Sequence, residues 1–242
     1  MSLSLRSLAA ALLLTPALAG AQSWANWTQA TQGFGGSMSG TIGSTTISFA
    51  GNFNGYQLAN GASFGLSQNG LGNNYWTPAS QPARALPYQS AGVSAPDRLG
   101  FIQFANATFT YGGTITFGQA VVNPLIAFIS AGQPGLPVTY DFFGASYTVL
   151  SDNTQNQAYW GAGTNNVGVG NNSTSPLVGN EFSGTIRLNG TFESIRFSTT
   201  NENWHGITVG ASSFAQVPEP ASIALLLSGV AGFAIVARRR RA

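Results

Sequence analysis

The sequence offers few side chains that could carry out catalysis. His205 is the only histidine, and it lies between Trp204 and Gly206, where a structural role is more common than a catalytic one. A Ser-His-Asp hydrolase would have to use this residue. A glycosidase would need two carboxylates across a cleft, but no pair is selected by the spacing of Asp97, Asp141, Asp152, Glu181, Glu193 and Glu202. We therefore predict that the protein is not an enzyme and keep a secreted glycan hydrolase as the third hypothesis.

Two pairs of neighbouring aromatic residues could bind sugar. Tyr75 and Trp76 follow two asparagines, and Tyr159 and Trp160 lie in a second polar segment. Flat rings on loops stack against pyranose faces, while neighbouring Asn, Gln and Thr side chains form hydrogen bonds with sugar hydroxyls. Large rings also close the ends of hydrophobic cores. The sequence leaves both interpretations open, and a carbohydrate-binding module is the second hypothesis for the function.

Charge and composition exclude several other classes of protein. Between residues 22 and 216 there are four arginines and six acidic residues, so the net charge of this region is 4 − 6 = −2. Nucleic-acid binding requires a basic surface and is not expected. The chain has no cysteine, which excludes disulfides and cysteine-ligated metals. No pattern of a calcium loop or a phosphate loop is present, and we predict neither a metal nor a cofactor.

The C-terminal tail, residues 217–242, has three consecutive parts. It begins with the motif Val217, Pro218, Glu219 and Pro220. An uncharged apolar stretch over 221–237 follows, and its length is at the short end of what crosses a bilayer. The tail then carries a stop-transfer cluster of Arg238, Arg239, Arg240 and Arg241. The prolines restrict the helix to the residues after them, and the arginines stay on the cytoplasmic side. We predict a single transmembrane helix at 221–237.

In this order, the three parts resemble the PEP-CTERM sorting signal of Gram-negative bacteria, a tail that has also been labelled an ice-binding protein C-terminal domain. The resemblance implies recognition by an exosortase, a membrane transpeptidase that cuts near the motif and releases or transfers the upstream part to the cell surface. The alternative is an ordinary single-span anchor. A sorting tail does not indicate what its passenger binds, so ice binding is not inferred.

The N-terminus also indicates export. Residues 1–21 show the order of a secretory signal peptide, with an arginine before an apolar run and small residues at Ala17, Ala19 and Ala21 that permit cleavage. The region between the two targeting segments, 22–216, has the size of one large domain. Before processing, we expect this domain on the periplasmic side of the inner membrane, and afterwards at the cell surface or outside the cell.

Alternating apolar and polar residues predict short antiparallel strands throughout the exported domain. We expect one hairpin that turns at Asn189-Gly190 and a second that turns at Phe143-Gly144. Each hairpin has one apolar face, expected to lie in the core, and one polar face, expected to meet solvent. In the first hairpin, the apolar face is predicted to carry Phe182, Ile186, Leu188, Ile195 and Phe197.

Short strands with one apolar face need a second sheet to cover them. We therefore predict an all-β fold, an antiparallel β-sandwich of jelly-roll type, flanked by the signal peptide and the single C-terminal transmembrane helix. Segments 60–99 and 152–180 are expected to form long loops that carry any binding surface. The Gly-rich stretch 33–43 is interpreted as a flexible lead-in.

Part of the domain also resembles a recurrent secreted domain that precedes this sorting tail. The residues that carry this resemblance lie at 122–130, 140–142, 184–192 and 204–210. That family implies a β-sandwich without an assigned activity. The first hypothesis for the function is accordingly a non-enzymatic protein of the cell envelope or extracellular matrix, processed by an exosortase and associated with exopolysaccharide or biofilm. Its expected partners are the exosortase, the inner membrane before processing and exopolysaccharide.

Overall fold

The alternating segments form β-strands in the computed structural model, which describes residues 22–31, 33–65, 74–80, 82–105, 110–154 and 161–215. The described residues also hold a 3₁₀ helix, Pro82–Tyr88. In chain order the strands are β1 (Ser23–Trp24), β2 (Asn26–Thr31), β3 (Gly33–Ile42), β4 (Thr45–Phe53), β5 (Gly55–Gln57), β6 (Ser63–Phe64), β7 (Phe101–Phe104), β8 (Tyr111–Val122), β9 (Leu125–Ala131), β10 (Val138–Asp141), β11 (Tyr147–Asp152), β12 (Thr164–Asn165), β13 (Asn172–Ser173), β14 (Leu177–Asn180), β15 (Phe182–Leu188), β16 (Thr191–Thr199), β17 (His205–Ala211) and β18 (Ser213–Phe214).

These strands form two antiparallel sheets. The first, which we call the covered sheet, has the strand order β13-β11-β15-β9-β17-β7-β5-β6, with β1 beside one end of β17. The second, the open sheet, has the order β12-β14-β10-β16-β8-β4-β3-β2, with β18 beside one end of β8. The prediction of an all-β protein built from two packed antiparallel sheets is confirmed for the described residues.

The chain passes from one sheet to the other at every connection from β7 to β18. Consecutive strands in this part of the fold therefore face each other across the core and are not neighbours in a sheet. The four strands β7, β17, β9 and β15 are adjacent in the covered sheet, and β8, β16, β10 and β14 are adjacent in the open sheet.

The predicted hairpin at Asn189-Gly190 is wrong for this reason. β15 pairs with β11 and β9, whereas β16 pairs with β8 and β10. Gly190 has a φ of 135°, but Asn189 is not among the residues with positive φ, as the expected primed turn would require. This connection instead forms hydrogen bonds with the connection between β8 and β9. Gly190 N donates to Asn123 Oδ1 at 2.9 Å, and Asn123 N donates to Gly190 O at 2.7 Å.

The second predicted hairpin is half right. Phe143 and Gly144 have φ values of 52° and 85°, and Ala145 N donates to Phe142 O at 3.2 Å, so the tight turn is present. The flanking strands then separate, because β10 enters the open sheet and β11 the covered sheet.

The main core lies between the two sheets and contains the residues that alternation had placed inside. Phe182, Ile186, Leu188, Ile195 and Phe197 are all at most 2% exposed. Rings from opposite sheets meet here, as in the edge-on contact of Phe128 with Tyr140, whose centroids are 4.9 Å apart. Each such large apolar side chain contributes about 1.5–3 kcal/mol through its burial.

The covered sheet is buried on its second face as well, which corrects the expectation that this face meets solvent. Along β9, Ile126 and Phe128 point into the main core, whereas Leu125, Ala127 and Ile129 belong to a second apolar cluster. That cluster includes residues of the segments 74–80 and 82–100, which contain the 3₁₀ helix and which we call the outer layer. On β15 the predicted wet face is likewise covered, since Ser183 and Thr185 are buried.

The open sheet presents its other face to solvent, as predicted. Cross-strand pairing places Ser39, Ser48, Thr116 and Ser194 in one row across four strands, and these residues are exposed or half-buried. The Gly-rich stretch 33–43 was expected to be a flexible lead-in, but most of it is strand β3 of this sheet. Residues 22–215 contain both apolar clusters and both sheets, and they are the part expected to remain after the two predicted targeting segments are removed.

Candidate functional site

A buried carboxylate and a buried imidazole lie next to each other where β16 leads into β17. Glu202 Oε1 accepts a hydrogen bond from Gly132 N at 2.7 Å and lies 3.5 Å from His205 Nδ1. On the far side of the ring, His205 Nε2 is 3.5 Å from the hydroxyl oxygen of Thr199. The fold thus brings a hydroxyl, an imidazole and a carboxylate into one row, in the order of a hydrolase triad.

Burial separates this row from any substrate. His205 is 0% exposed, Thr199 1% and Glu202 4%. The imidazole packs against the rings of Phe104 and Tyr140, with centroid distances of 5.4 and 5.7 Å. The Thr199 hydroxyl also lies 3.1 Å from the next backbone carbonyl, to which it can donate, so the imidazole is not its sole partner. This geometry fits a polar group packed inside the core, and His205 Nδ1 has no hydrogen-bond partner among the described residues.

The ionisation of the pair supports the same conclusion. Burial lowers the pKa of His205 from 6.5 to about 3, so the imidazole is a poor proton acceptor near neutral pH. Burial raises the pKa of Glu202 from 4.5 to about 8; the Gly132 N–H opposes this rise, and the charge of Glu181 adds to it. Both groups are therefore neutral near pH 7, which avoids an unpaired charge in the core.

Glu181 belongs to a second polar cluster that joins strand β9 to the connection between β11 and β12 and the connection between β14 and β15. Its carboxylate accepts a hydrogen bond from Ser130 Oγ at 2.5 Å. Burial raises the pKa of Glu181, and this hydrogen bond opposes the rise only in part. Asn153 donates to the carbonyls of Gly161 and Glu181, both at 3.0 Å, and accepts from Ser183 N at 3.1 Å. These bonds hold the loops and leave Asn153 with no exposed surface.

The acidic residues differ in burial in a way that the sequence did not predict, and Asp141, Asp152 and Glu181 are half-buried. Asp97 and Glu193 are exposed, as expected of solvated carboxylates, whereas Glu202 is buried. Glu202 was missed because the period-two pattern of β16 ends before it. The sequence contains no local signal that the connection to β17 turns inward.

Residues 61–65 form a Gly-x-Ser-x-Gly sequence with Ser63 at its centre. In hydrolases this motif forms a sharp turn from a strand into a helix. Here Ser63 begins the two-residue strand β6, which pairs with β5 at the edge of the covered sheet. Ser63 Oγ has no hydrogen-bond partner among the described residues, so it does not bond to His205. The context of a nucleophile is absent at this position.

Tyr75 and Trp76, the first predicted sugar-binding pair, lie in the second apolar cluster. Tyr75 is 3% exposed and packs edge-on against Phe101 at 5.3 Å. Trp76 is 0% exposed and packs edge-on against Tyr88 at 5.2 Å. A ring that stacks on a sugar must expose one face, and neither ring does so here. Tyr159 and Trp160, the second pair, lie outside the described residues.

A groove of about 420 Å³ lies between the 3₁₀ helix and β11, on the outside of the covered sheet. Its volume is within the range of small-molecule sites. Three apolar side chains and five polar ones contribute to its lining: Leu86, Leu150 and Val169, with Gln89, Ser90, Ser151, Asp152 and Thr154. This groove joins the two loop segments that were expected to carry a binding surface.

The described residues contain no group of three or more His, Asp or Glu side chains that could hold a metal ion. The carboxylate of Asp152 accepts hydrogen bonds from Thr154 N at 3.0 Å and Asn165 Nδ2 at 3.1 Å. The neighbouring Asn153 points inward.

The sorting motif Val217 to Pro220 and the cluster Arg238 to Arg241 lie outside the described residues, as does the predicted signal peptide 1–21. Their assignment therefore depends on the sequence. Residues 216–241 match the PEP-CTERM protein-sorting motif. The tail is a PEP-CTERM sorting signal.

A PEP-CTERM tail is a signal for exosortase processing, and it implies an exported protein that is anchored in the membrane only until it is cut. The PEP-CTERM match covers the tail and none of the β-domain. No curated protein matches the chain, and no solved structure matches it either. In the part of the chain that the structure describes, no helix is long and apolar enough to cross a membrane.

Proposed function

We propose that this protein is exported across the inner membrane, held there by its tail with the β-domain on the periplasmic side, and then cut by an exosortase. The mature domain acts at the cell surface or in the extracellular matrix. The observation that carries this proposal is the PEP-CTERM motif at 216–241. The signal-peptide pattern at residues 1–21 supports the same route.

We infer that the mature domain is not an enzyme. The burial of His205 and Glu202 supports this inference, because catalytic groups must reach a substrate. The edge-strand position of Ser63 supports it as well.

We also infer that the sandwich is of jelly-roll type. A jelly roll consists of eight strands in two sheets with Greek-key connections. The order β7-β17-β9-β15 opposite β8-β16-β10-β14, with the chain alternating between the sheets, supports this type.

Exopolysaccharide is the partner that we propose for the mature domain. Residues 22–83 contain no charged side chain, and Arg84 is the first one in the exported part. Their strands form much of the open sheet, whose exposed row of serine and threonine hydroxyls can exchange hydrogen bonds with sugars. The part of this surface formed by β2, β3 and β4 is uncharged and rich in hydroxyls, which suits a neutral sugar polymer better than a charged one.

The processing step can be tested by intact mass spectrometry of the protein recovered from its native envelope and culture medium. We expect the wild type to lack the mass of its tail. A variant with Pro218, Glu219 and Pro220 changed to alanine should keep the tail, because the exosortase reads that motif.

A matched control changes Pro134, Pro137 and Glu193 to alanine, which alters the same residue types at exposed positions of the β-domain. This control should be processed like the wild type. An intact tail in the wild type would mean that the tail is a permanent membrane anchor, and the proposal would then fail.

A further inference from the structure

We propose that the groove between the 3₁₀ helix and β11 binds a neutral sugar unit. This inference deepens the proposed function, on which it rests for the polymer that the protein meets outside the cell. It places the recognition of a single sugar unit at this groove, which lies on the covered sheet and is separate from the hydroxyl row of the open sheet, and not at the buried pair Tyr75 and Trp76.

The apolar part of the groove is exposed. Leu86, at the 3₁₀ helix, is 42% exposed, and Val169, in the loop before β13, is 51% exposed. Large apolar side chains with this exposure are uncommon among the described residues. Because both line one groove, they form an apolar wall suited to the C–H face of a ring.

The polar part of the groove contains a buried hydroxyl that lacks a partner. Ser151 is 5% exposed, and its Oγ has no hydrogen-bond partner among the described residues. It pairs across the sheet with Thr185, whose hydroxyl points to the outer layer and donates to Tyr88 O at 3.5 Å. Paired residues share a face, so Ser151 also lies on the outer face of the covered sheet, and it is one of the residues that line the groove. A buried polar atom without a partner is costly and calls for one, such as a ligand hydroxyl.

The remaining polar groups select a neutral ligand. Asp152 is the charged residue in the lining, so an anionic ligand would be repelled. Its carboxylate already accepts three hydrogen bonds, from Thr154 N, Thr154 Oγ1 and Asn165 Nδ2. It is therefore held in place and can accept a further bond from a hydroxyl donor. Gln89 can donate and accept beside it. An apolar ring face with hydroxyls around its edge meets all of these groups.

The test uses residues 22–215 and native gels that contain a soluble polysaccharide, in which binding slows migration. The probes are a neutral glucan and a neutral galactomannan, with polygalacturonate as the anionic comparator. We expect at least one neutral polymer to retard the protein and polygalacturonate to have less effect. Leu86→Ala should weaken the retardation about fivefold through loss of the apolar wall.

Leu136→Ala is the matched control, because Leu136 is 44% exposed and lies in a turn away from the groove. It should bind as the wild type does. Ser151→Ala gives a second readout: we expect it to weaken binding about fivefold and yet to leave the unfolding midpoint unchanged or raised, since the hydroxyl has no partner in the free protein.

The proposal is overturned if neither neutral polymer retards the protein, if Leu86→Ala and Ser151→Ala both bind like the wild type, or if Leu136→Ala loses as much affinity as Leu86→Ala. The fragment lacks the tail, so a negative result leaves exosortase processing untouched. Conversely, an unprocessed tail would leave binding at the groove intact.

Discussion

Replacing Trp76 with alanine is expected to lower the free energy of unfolding by about 3–5 kcal/mol. The side chain is 0% exposed and packs edge-on against Tyr88 and Phe101, at 5.2 and 6.3 Å between ring centroids. The substitution would leave a cavity between the outer layer and the covered sheet, and relaxation of the backbone would fill it only in part. This loss is large compared with the usual stability of a domain.

Urea denaturation of the fragment 22–215 measures this effect, with Phe34→Ala as the control. Phe34 is 72% exposed, so its replacement should change the free energy of unfolding by no more than about 0.5 kcal/mol. If Trp76→Ala were as stable as the wild type but lost polysaccharide binding, Trp76 would be a sugar platform and the outer layer would be wrongly assigned.

The second large effect is a loss of stability as the pH rises, caused by Glu202. Its pKa is about 8 in the folded protein and 4.5 ordinarily, so the folded state holds a proton that the unfolded state has released. The stabilising contribution of this proton is complete below pH 4.5 and is lost as the pH rises towards 8. The slope is at most about 1.4 kcal/mol per pH unit.

His205 acts in the opposite direction. Its pKa is about 3 in the folded protein and 6.5 ordinarily, so its contribution is complete above pH 6.5 and is lost as the pH falls towards 3. Between pH 4.5 and 6.5 the two slopes offset each other. The pair therefore gives a plateau in this interval, with a decline on either side, while Glu181 adds a smaller decline above pH 4.5 because its pKa is also raised.

Glu202→Gln isolates the carboxyl group, because glutamine keeps an oxygen that can accept the Gly132 N–H bond. Unfolding free energies at pH 5.5, 7 and 8 should fall more steeply in the wild type than in this variant. Parallel curves for the two proteins would show that Glu202 is ionised in the folded state and that the neutral buried pair does not exist.

The sequence predicted the core residues more accurately than it predicted the strand pairs. Phe182, Ile186 and Phe197 were predicted to lie inside and do so, yet the hairpin proposed to bring them together does not form. Two consecutive strands turn the same apolar residues inward whether they are neighbours in one sheet or lie in opposite sheets across the core. Period-two alternation cannot distinguish these two arrangements, and the Asn189-Gly190 signal favoured the wrong one.

The candidate site was even harder to predict from the sequence. The outer layer covers the second face of β15 and β9, so Thr185 is buried although it alternates like a solvent-facing residue. The groove beside Asp152 brings together Leu86 and Val169, which are far apart in the chain. No local pattern predicts such a meeting, because it depends on which segment packs on the sheet.

The sequence by itself determined the all-β class, the inward faces of the strands and the PEP-CTERM sorting tail, because each of these depends on residues that are close together in the chain. Only the tertiary structure decided which strands pair, that His205 and Glu202 meet inside the core, and that Trp76 is buried. These outcomes depend on contacts between distant segments, whose free energies arise only when the two sheets and the outer layer pack together.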